Sequence, residues 1–180
     1  MKALRLLLIV LGILIALPLL VALFVKKQYA VERSITINQP NQVVFDYVKF
    51  LKNQDHYSKW ATMDANMKKT YRGEDGQVGF VSAWESQNPD VGKGEQEIVK
   101  IADGERIDFE LRFFEPWQSK EPAYMTTSAA TDSTTLVKWG FSGHMDYPMN
   151  LFLLFMDMEK MIGDDLATGL ANLKTVMEKK

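Results

Sequence analysis

Hydrophobic and polar residues alternate along several segments of the chain with the two-residue period of a β-strand. The clearest segment is RIDFELRFF, where the apolar residues Ile107, Phe109, Leu111 and Phe113 alternate with charged ones. This period places the apolar side chains on one face of a strand and the charged side chains on the other. The segments YAVERSITIN and TTLVKWGFSG repeat the pattern. Together they predict an antiparallel sheet with one covered face and one face in water.

The period changes after Pro148, and the remaining residues 149–180 contain no proline. Apolar residues in this segment recur every three or four positions, at Met158, Ile162, Leu166, Leu170, Leu173 and Met177. Charged residues lie between them, as on the wet face of an amphipathic helix. We therefore expect one long helix over residues 149–180, whose apolar stripe covers the apolar face of the sheet.

Short helices are predicted directly after the first strand. Pro40 has a fixed φ angle and no N–H, which suits the first turn of a helix, and Val44, Tyr47 and Val48 follow at helical spacing. The segment KNQDHYSKW indicates a second short helix, and frequent glycine turns then separate about six strand-length segments. The predicted fold class is α+β in the order β-α-α-β6-α. A curved antiparallel sheet around a long C-terminal helix leaves a cavity between them.

The N-terminal segment predicts a membrane helix. Leu6–Val25 carries no charge, and a helix of that length is about 30 Å long, the thickness of a bilayer core. Pro18 lies inside the run, which membrane helices tolerate. Lys2 and Arg5 could also form the basic region of a cleaved signal peptide. No cleavage site of small residues follows the run cleanly, so we expect an uncleaved anchor.

We therefore divide the chain into a transmembrane anchor, residues 1–27, and one ligand-binding domain, residues 28–180. The very short N-terminal tail suits a single-pass protein of the cytoplasmic membrane with its domain on the extracytoplasmic side. The net charge of −2 becomes −6 for residues 28–180, because residues 1–27 hold four basic and no acidic residues. An acidic domain is a poor partner for nucleic acid.

Five motifs, taken in order, resemble the helix-grip proteins of the START-like (SRPBCC) superfamily. They are RSITINQPNQVVFDYV from Arg33, KW at Lys59, YRGEDGQVGFVSAW from Tyr71, VGKGEQEI from Val91 and GL..LK from Gly169. The superfamily includes bacterial polyketide cyclase/dehydrase-like proteins and the pollen-allergen ligand carriers of plants. The resemblance covers essentially all of Tyr29–Lys180. It implies a helix-grip fold that binds lipids, polyketides, isoprenoids or other apolar molecules.

The function that we expect is membrane-anchored binding or transfer of a hydrophobic small molecule in the cavity, without a cofactor. Large aromatic side chains would supply most of the ligand contact, although each one taken singly is also a good core residue. The candidate ligand-binding residues are Trp60, Trp84, Phe109, Tyr124, Trp139 and Phe141. We place Trp60 at the mouth of the cavity, beside the short helices.

Two other functions stay open. One is an enzyme of the cyclase or dehydratase type, with Asp46 or Glu85 moving protons, and the other is a protein-interaction domain that resembles co-chaperone relatives of this fold. An enzyme needs an ionisable group with a shifted pKa inside the apolar cavity. Inward strand positions are mostly apolar and the acidic residues alternate outward. We therefore predict no catalytic residue.

Histidine and glycine patterns give no further chemistry. His56 and His144 are the only histidines and there is no cysteine, so no zinc-binding pattern exists. Ser142, His144 and Asp146 would lie about 7 Å apart along a strand, too far for a catalytic triad. Gly92-Lys93-Gly94 precedes strand-like residues and not a helix, which indicates a hairpin turn or bulge and not a phosphate-binding loop.

The segment MNLFLLFM after Pro148 is apolar on every side. If one side of Leu151–Phe155 stays exposed, it forms a membrane-facing mouth or a partner site. The alternative is a buried end beneath the short helices. The sequence favours neither.

Overall fold

A computed structural model describes residues 2–179 of the chain. Within these residues, four α-helices and two short 3₁₀ helices accompany one seven-stranded sheet. The α-helices are α1 (Lys2–Ala22), α2 (Asn41–Val48), α3 (Lys59–Thr62) and α4 (Met158–Glu178), and the 3₁₀ helices span Leu51–His56 and Met149–Leu154. The strands are β1 (Gln28–Ile37), β2 (Lys68–Arg72), β3 (Val81–Glu85), β4 (Lys93–Ala102), β5 (Arg106–Glu115), β6 (Ser119–Thr131) and β7 (Thr134–His144).

The strands lie in the order β1-β7-β6-β5-β4-β3-β2, and every neighbouring pair is antiparallel. Strands β2 to β7 thus form a meander, in which each strand pairs with the next one along the chain. Strand β1 lies at the edge of the sheet and pairs with β7. The short helices follow β1 and the long helix ends the chain. The predicted α+β helix-grip fold is confirmed.

Strand β5 shows why the sheet has one covered face. Ile107 and Phe109 are buried on the inner face, as the alternation predicts. On the outer face Arg112 donates to Glu95 at 2.7 Å and to Glu97 at 2.6 Å, across the pairing of β5 with β4. These ion pairs are partly buried, so the desolvation of the charges offsets much of their attraction, and the apolar inner face supplies most of the stabilisation.

Helix α4 packs its apolar stripe against the inner face of the sheet. Leu166, Leu170 and Leu173 are buried at helical spacing. Gly169 lies against Trp139 of β7, and a β-carbon at Gly169 would come within 2.8 Å of the Trp139 ring. This glycine therefore permits the close approach of the helix to the sheet.

The start of the last helix differs from the prediction. One continuous helix over 149–180 is wrong, because α4 begins at Met158 and Met149–Leu154 is a separate 3₁₀ helix. Asp157 is the N-cap of α4, and its side chain accepts a hydrogen bond of 2.9 Å from the main-chain N–H of Lys160. The cap satisfies a free N–H at that point and begins the helix there.

The apolar N-terminal run forms the helix α1, with Pro18 inside it. Among residues 2–179, α1 is the one helix long and apolar enough to cross a membrane. Its leucine and isoleucine side chains are exposed, and Ala22 at its C-terminal end is buried. The length and composition of α1 fit a membrane anchor and also a signal peptide.

The predicted turn or bulge at Gly92-Lys93-Gly94 is confirmed. Gly92 has a φ angle of +61°, and the register of β4 against β5 shifts between Lys93 and Gly94. A β-carbon at Gly94 would lie 2.6 Å from the Trp84 ring. The glycine thus leaves room for Trp84 to lie across β4.

Candidate ligand-binding cavity

A cavity of about 1060 Å³ lies between the inner face of the sheet, α4 and the short helices. Its walls are mainly apolar, with contributions from Leu51, Leu111, Ala123, Ile162 and Leu166. These residues come from four separate elements, so the cavity exists only in the folded domain. Its size fits a drug-sized or lipid-like molecule.

Four of the six predicted aromatic residues line this cavity: Trp60, Trp84, Trp139 and Phe141. The Trp60 and Trp139 rings meet edge to face, with their centroids 6.2 Å apart. Trp84 is held by a hydrogen bond of 3.2 Å from its indole N–H to the main-chain oxygen of Val91. The sheet and α3 thus bring these four residues together, although none is adjacent in sequence.

The other two predicted residues lie elsewhere. Tyr124 is on the outer face of the sheet, where its hydroxyl donates to Glu32 and the Arg106 guanidinium lies 4.1 Å from the ring centroid. It follows the inward-facing Ala123, and the next residue along a strand points to the opposite face. Phe109 faces inward but is buried in the hydrophobic core and does not line the cavity. We remove both from the candidate site.

Glu121 is an acidic residue inside the cavity, which corrects the expectation that all acidic residues point outward. It alternates with Pro122 and shares the inner face of β6 with Ala123 and Met125. Only 7% of its surface is exposed. Burial raises the pKa of its carboxyl group, opposed by hydrogen bonds from the main-chain N–H of His144 and from Ser119.

Tyr29 reaches towards Glu121 across β7. Tyr29 pairs with Gly143, and the pairing of Ala123 with Phe141 brings Glu121 level with Gly143 on the other side. A β-carbon at Gly143 would overlap the end of the Tyr29 ring, so the ring lies over the glycine. Burial, together with the charge of Glu121, raises the pKa of the Tyr29 hydroxyl to about 12.

The sequence held a signal for Glu121 that was missed. In the segment SKEPAYMTT, Glu121 lies two residues before Ala123 and four before Met125. Both of these residues are apolar, and they are small or flexible. Because every second side chain of a strand lies on the same face, the sequence places this carboxylate on the covered face. The two acids that were proposed as proton carriers do not line the cavity: Asp46 pairs with Lys49 and Glu85 lies 3.6 Å from Lys93.

The open side of the cavity lies at the end of the sheet where α1 joins β1. Strands β1, β4 and β6 begin at this end, and β3, β5 and β7 end there. The lining residues from this end include exposed side chains, such as Trp117 at 73%, Met149 and Phe152. The short helices contribute buried or half-buried residues such as Leu51 and Trp60, so Trp60 lies in the wall and not at the mouth.

The end of α1 is attached to the same region. Asn150 is buried in the second 3₁₀ helix, and its side-chain amide donates to the main-chain oxygens of Ala22 at 2.7 Å and Val25 at 2.9 Å. A groove of about 870 Å³ lies between the end of α1 and residues 153–159. Tyr29 and Met156 line both this groove and the cavity.

Other polar groups at this end make no catalytic arrangement. His144 and Asp146 are exposed and their side chains lie 3.0 Å apart, from Nε2 to Oδ1. Ser142 does not line the cavity. Within residues 2–179, no group of three histidine, cysteine, aspartate or glutamate side chains is placed to hold a metal ion.

The family model for polyketide cyclase / dehydrase and lipid transport matches residues 28–178. The chain belongs to this family. Membership supports the binding of hydrophobic ligands in general terms. No curated protein matches the sequence significantly.

Solved structures share the family's helix-grip fold at low sequence identity. A protein of Nitrosospira multiformis is 18% identical, with a TM-score of 0.58, and the match covers 84% of this chain and 97% of that one. Norcoclaurine synthase from Thalictrum flavum is 9% identical, with a TM-score of 0.63 and coverage of 85% and 96%. The Aha1 dimer from Colwellia psychrerythraea is 13% identical, with a TM-score of 0.57 and coverage of 83% and 96%. These likenesses concern the fold alone.

Proposed function

We propose that the chain is a membrane-anchored protein that binds or transfers a hydrophobic small molecule, such as a lipid, an isoprenoid or a polyketide-like compound. The observation that carries this proposal is the cavity of about 1060 Å³, lined by Trp60, Trp84, Trp139 and Phe141. Removing apolar surface from water supplies the binding free energy, about 25 cal/mol per Å². Family membership supports the same class of ligand.

The anchor comprises residues 1–27 and the ligand-binding domain residues 28–180, on the extracytoplasmic side of the cytoplasmic membrane. The hydrogen bonds from Asn150 to Ala22 and Val25 support an anchor that is retained. Cleavage after the apolar run would remove both acceptors and leave a buried amide without them, which costs about 1–3 kcal/mol. A signal peptide has no need of such a bond to the mature domain.

The mouth of the cavity faces the bilayer. Exposed apolar side chains cluster at the anchor end of the sheet, including Phe24, Trp117, Phe152 and Phe155. A patch of this kind marks an interaction surface, and tryptophan is favoured at the boundary between lipid and water. The covalent connection through α1 makes the membrane the nearest apolar partner. A hydrophobic molecule could then pass from the bilayer through the groove into the cavity.

Native mass spectrometry of the full chain, extracted with its surrounding lipid, tests this proposal. We expect one apolar molecule to stay bound under activation that strips the bulk lipid. N-terminal sequencing of the same sample should find an intact anchor. A soluble product that begins near Tyr29, or a chain that carries no apolar molecule, would contradict the proposal.

A cyclase or dehydratase is the second candidate function, and Glu121 is the observation that favours it. A buried carboxyl whose pKa is raised is a candidate for a general acid or base inside a cavity. The test is to incubate the full chain with the molecule that co-purifies and to follow its mass. Loss of one water, or a new isomer that disappears in Glu121→Gln, would establish catalysis. An unchanged molecule supports binding alone.

A further inference from the structure

The cavity has a pair of polar side chains at its anchor end, which the apolar binding function does not explain. Glu121 and Tyr29 lie there on neighbouring positions of β6 and β1, separated by Gly143 of β7. Gly143 lacks the β-carbon that would displace the Tyr29 ring. We propose that Tyr29 and Glu121 form a binding site for a neutral oxygen group, a hydroxyl or a carbonyl, at the polar end of an otherwise apolar ligand. The site rests on the ligand-binding function proposed above.

The charges around the site disfavour an anionic headgroup. Within residues 2–179, no lysine or arginine forms an ion pair with Glu121. Its neighbour Lys120 pairs with Glu110 on the outer face, at 2.7 Å, and Lys69 inside the cavity pairs with Asp55 at 2.6 Å. A carboxylate or phosphate beside Glu121 would therefore meet a second acid, and neither of these two lysines is free to pair with it.

The protonation of the two residues favours a neutral acceptor. Burial raises the pKa of the Tyr29 hydroxyl to about 12 and also raises the pKa of the Glu121 carboxyl, so burial favours the protonated form of each group. A protonated carboxyl and a phenol each donate an O–H. The titratable groups that face Glu121 from the neighbouring elements are Tyr29 of β1 and His144 of β7, and Asp146 follows as the partner of His144. Two such donors at one end of the cavity suit the oxygen of a ketone or an alcohol.

The site also gives the ligand an orientation. Tyr29 lines both the groove at the end of α1 and the cavity, so Tyr29 and Glu121 lie at the open side. The aromatic wall with Trp60 and Trp139 lies deeper, beside the short helices. A ligand held by its oxygen at the open side would therefore place its apolar tail against the tryptophans.

Photoaffinity labelling of the full chain in lipid nanodiscs tests the site. Four probes share one sixteen-carbon tail with a diazirine and differ only in the headgroup, which is a hydroxyl, a methyl ketone, a carboxylate or an amine. Mass spectrometry of peptides measures labelling of cavity residues relative to labelling of α1. Because α1 lies in the same bilayer, it corrects for the amount of probe in the membrane.

The hydroxyl and ketone probes should label the cavity best. Replacing Glu121 by leucine, or Tyr29 by phenylalanine, should lower that labelling roughly 3- to 10-fold, the effect of one hydrogen bond. Glu121→Gln keeps a donor in the same place and should retain the preference. Raising the pH through the pKa of Glu121 should weaken hydroxyl labelling of the wild type and leave Glu121→Gln unchanged.

Stronger labelling by the carboxylate or the amine would overturn the site, and so would equal labelling by all four probes. Those outcomes would leave the ligand-binding function intact, because the cavity would still be labelled. Labelling of α1 without any labelling of the cavity would overturn both. The thermal unfolding of each variant in nanodiscs distinguishes a lost hydrogen bond from a lost fold.

Discussion

The side-chain amide of Asn150 donates a 2.7 Å hydrogen bond to the main-chain oxygen of Ala22, and both residues are fully buried. The bond joins the last turn of the apolar helix α1 to the second 3₁₀ helix. A free carbonyl at a helix end is normally satisfied by water or by a cap. Here a residue far along the chain satisfies it, which ties the end of the apolar helix to the rim of the cavity.

Asn150→Ala should loosen this junction. Loss of the bonds to Ala22 and Val25 should lower the stability of the fold by about 1–3 kcal/mol, because the carbonyl of the buried Ala22 loses its donor. Trypsin should then cleave the linker after Lys26 and Lys27 faster than in the wild type. The exposed Asn66→Ala is the matched control and should cleave at the wild-type rate. Equal cleavage of both variants would show that the hydrogen bonds of Asn150 do not protect the linker.

Gly143→Ala should clash with Tyr29. A β-carbon there occupies the place of the Tyr29 ring end, and overpacking of this kind costs typically 1–3 kcal/mol. In a Tyr29→Ala background the same substitution should cost much less, since the ring is gone. A double-mutant cycle of thermal or denaturant unfolding measures this coupling. If the effects of the two substitutions are additive, the Tyr29 ring does not lie over Gly143.

Glu121→Gln should stabilise the protein at neutral pH. The folded-state pKa of Glu121 is raised above its unfolded value, so the folded state binds the proton more tightly. Stability is therefore lost as the pH rises from the ordinary range of glutamate to the folded pKa. The variant carries no such group and should have a higher Tm than the wild type at neutral pH.

Acidification separates this effect from a general one. The difference in Tm between Glu121→Gln and the wild type should shrink as the pH falls to the ordinary range of glutamate, where both proteins are neutral at this position. Glu74→Gln, at an exposed position, should track the wild type at every pH. A Tm difference that does not change with pH would contradict the assignment.

Residues at the anchor end of the sheet should lie in the boundary of the bilayer. The chain has no cysteine, so Phe155→Cys and Trp117→Cys each carry one label of an environment-sensitive fluorophore. In nanodiscs both labels should be quenched by nitroxide lipids, because their sites at the anchor end of the sheet are 83% and 73% exposed. Ala130→Cys, at the opposite end of the sheet, should not be quenched. If neither of these two labels is quenched, the mouth of the cavity does not lie at the membrane.

Periodicity alone predicted most of the fold. The alternation at Ile107 and Phe109 requires a sheet with one covered face, and the spacing of Leu166, Leu170 and Leu173 requires a helix to cover it. Periodicity did not predict the structure of residues 149–157, because an apolar run without a polar face fits no single period. Its structure depends on the cap at Asp157 and on burial of Asn150 against α1, which are tertiary contacts.

The candidate site was only partly predictable, because the aromatic candidates were chosen without regard to the face of the strand on which each one lies. Trp84, Trp139 and Phe141 were chosen as large aromatic residues on strands, and they line the cavity. Tyr124 met the same criterion, but its neighbours along β6 place it on the wet face. Applying the two-residue period to each candidate would have excluded Tyr124 and included Glu121. The closing of Tyr29 over Gly143 needs the register of β1 against β7, which sequence does not show.

The occupancy of the cavity tests the central claim most directly. Ala61 lines the cavity on α3, and the exposed Ala65 lies just beyond it. Ala61→Trp should fill the space beside Trp60, while Ala65→Trp adds the same side chain outside the cavity. Native mass spectrometry of the two full-length variants measures the apolar molecule that stays bound. The account predicts that Ala65→Trp retains it at the wild-type level and that Ala61→Trp loses it while remaining folded; equal retention by both variants would contradict the account.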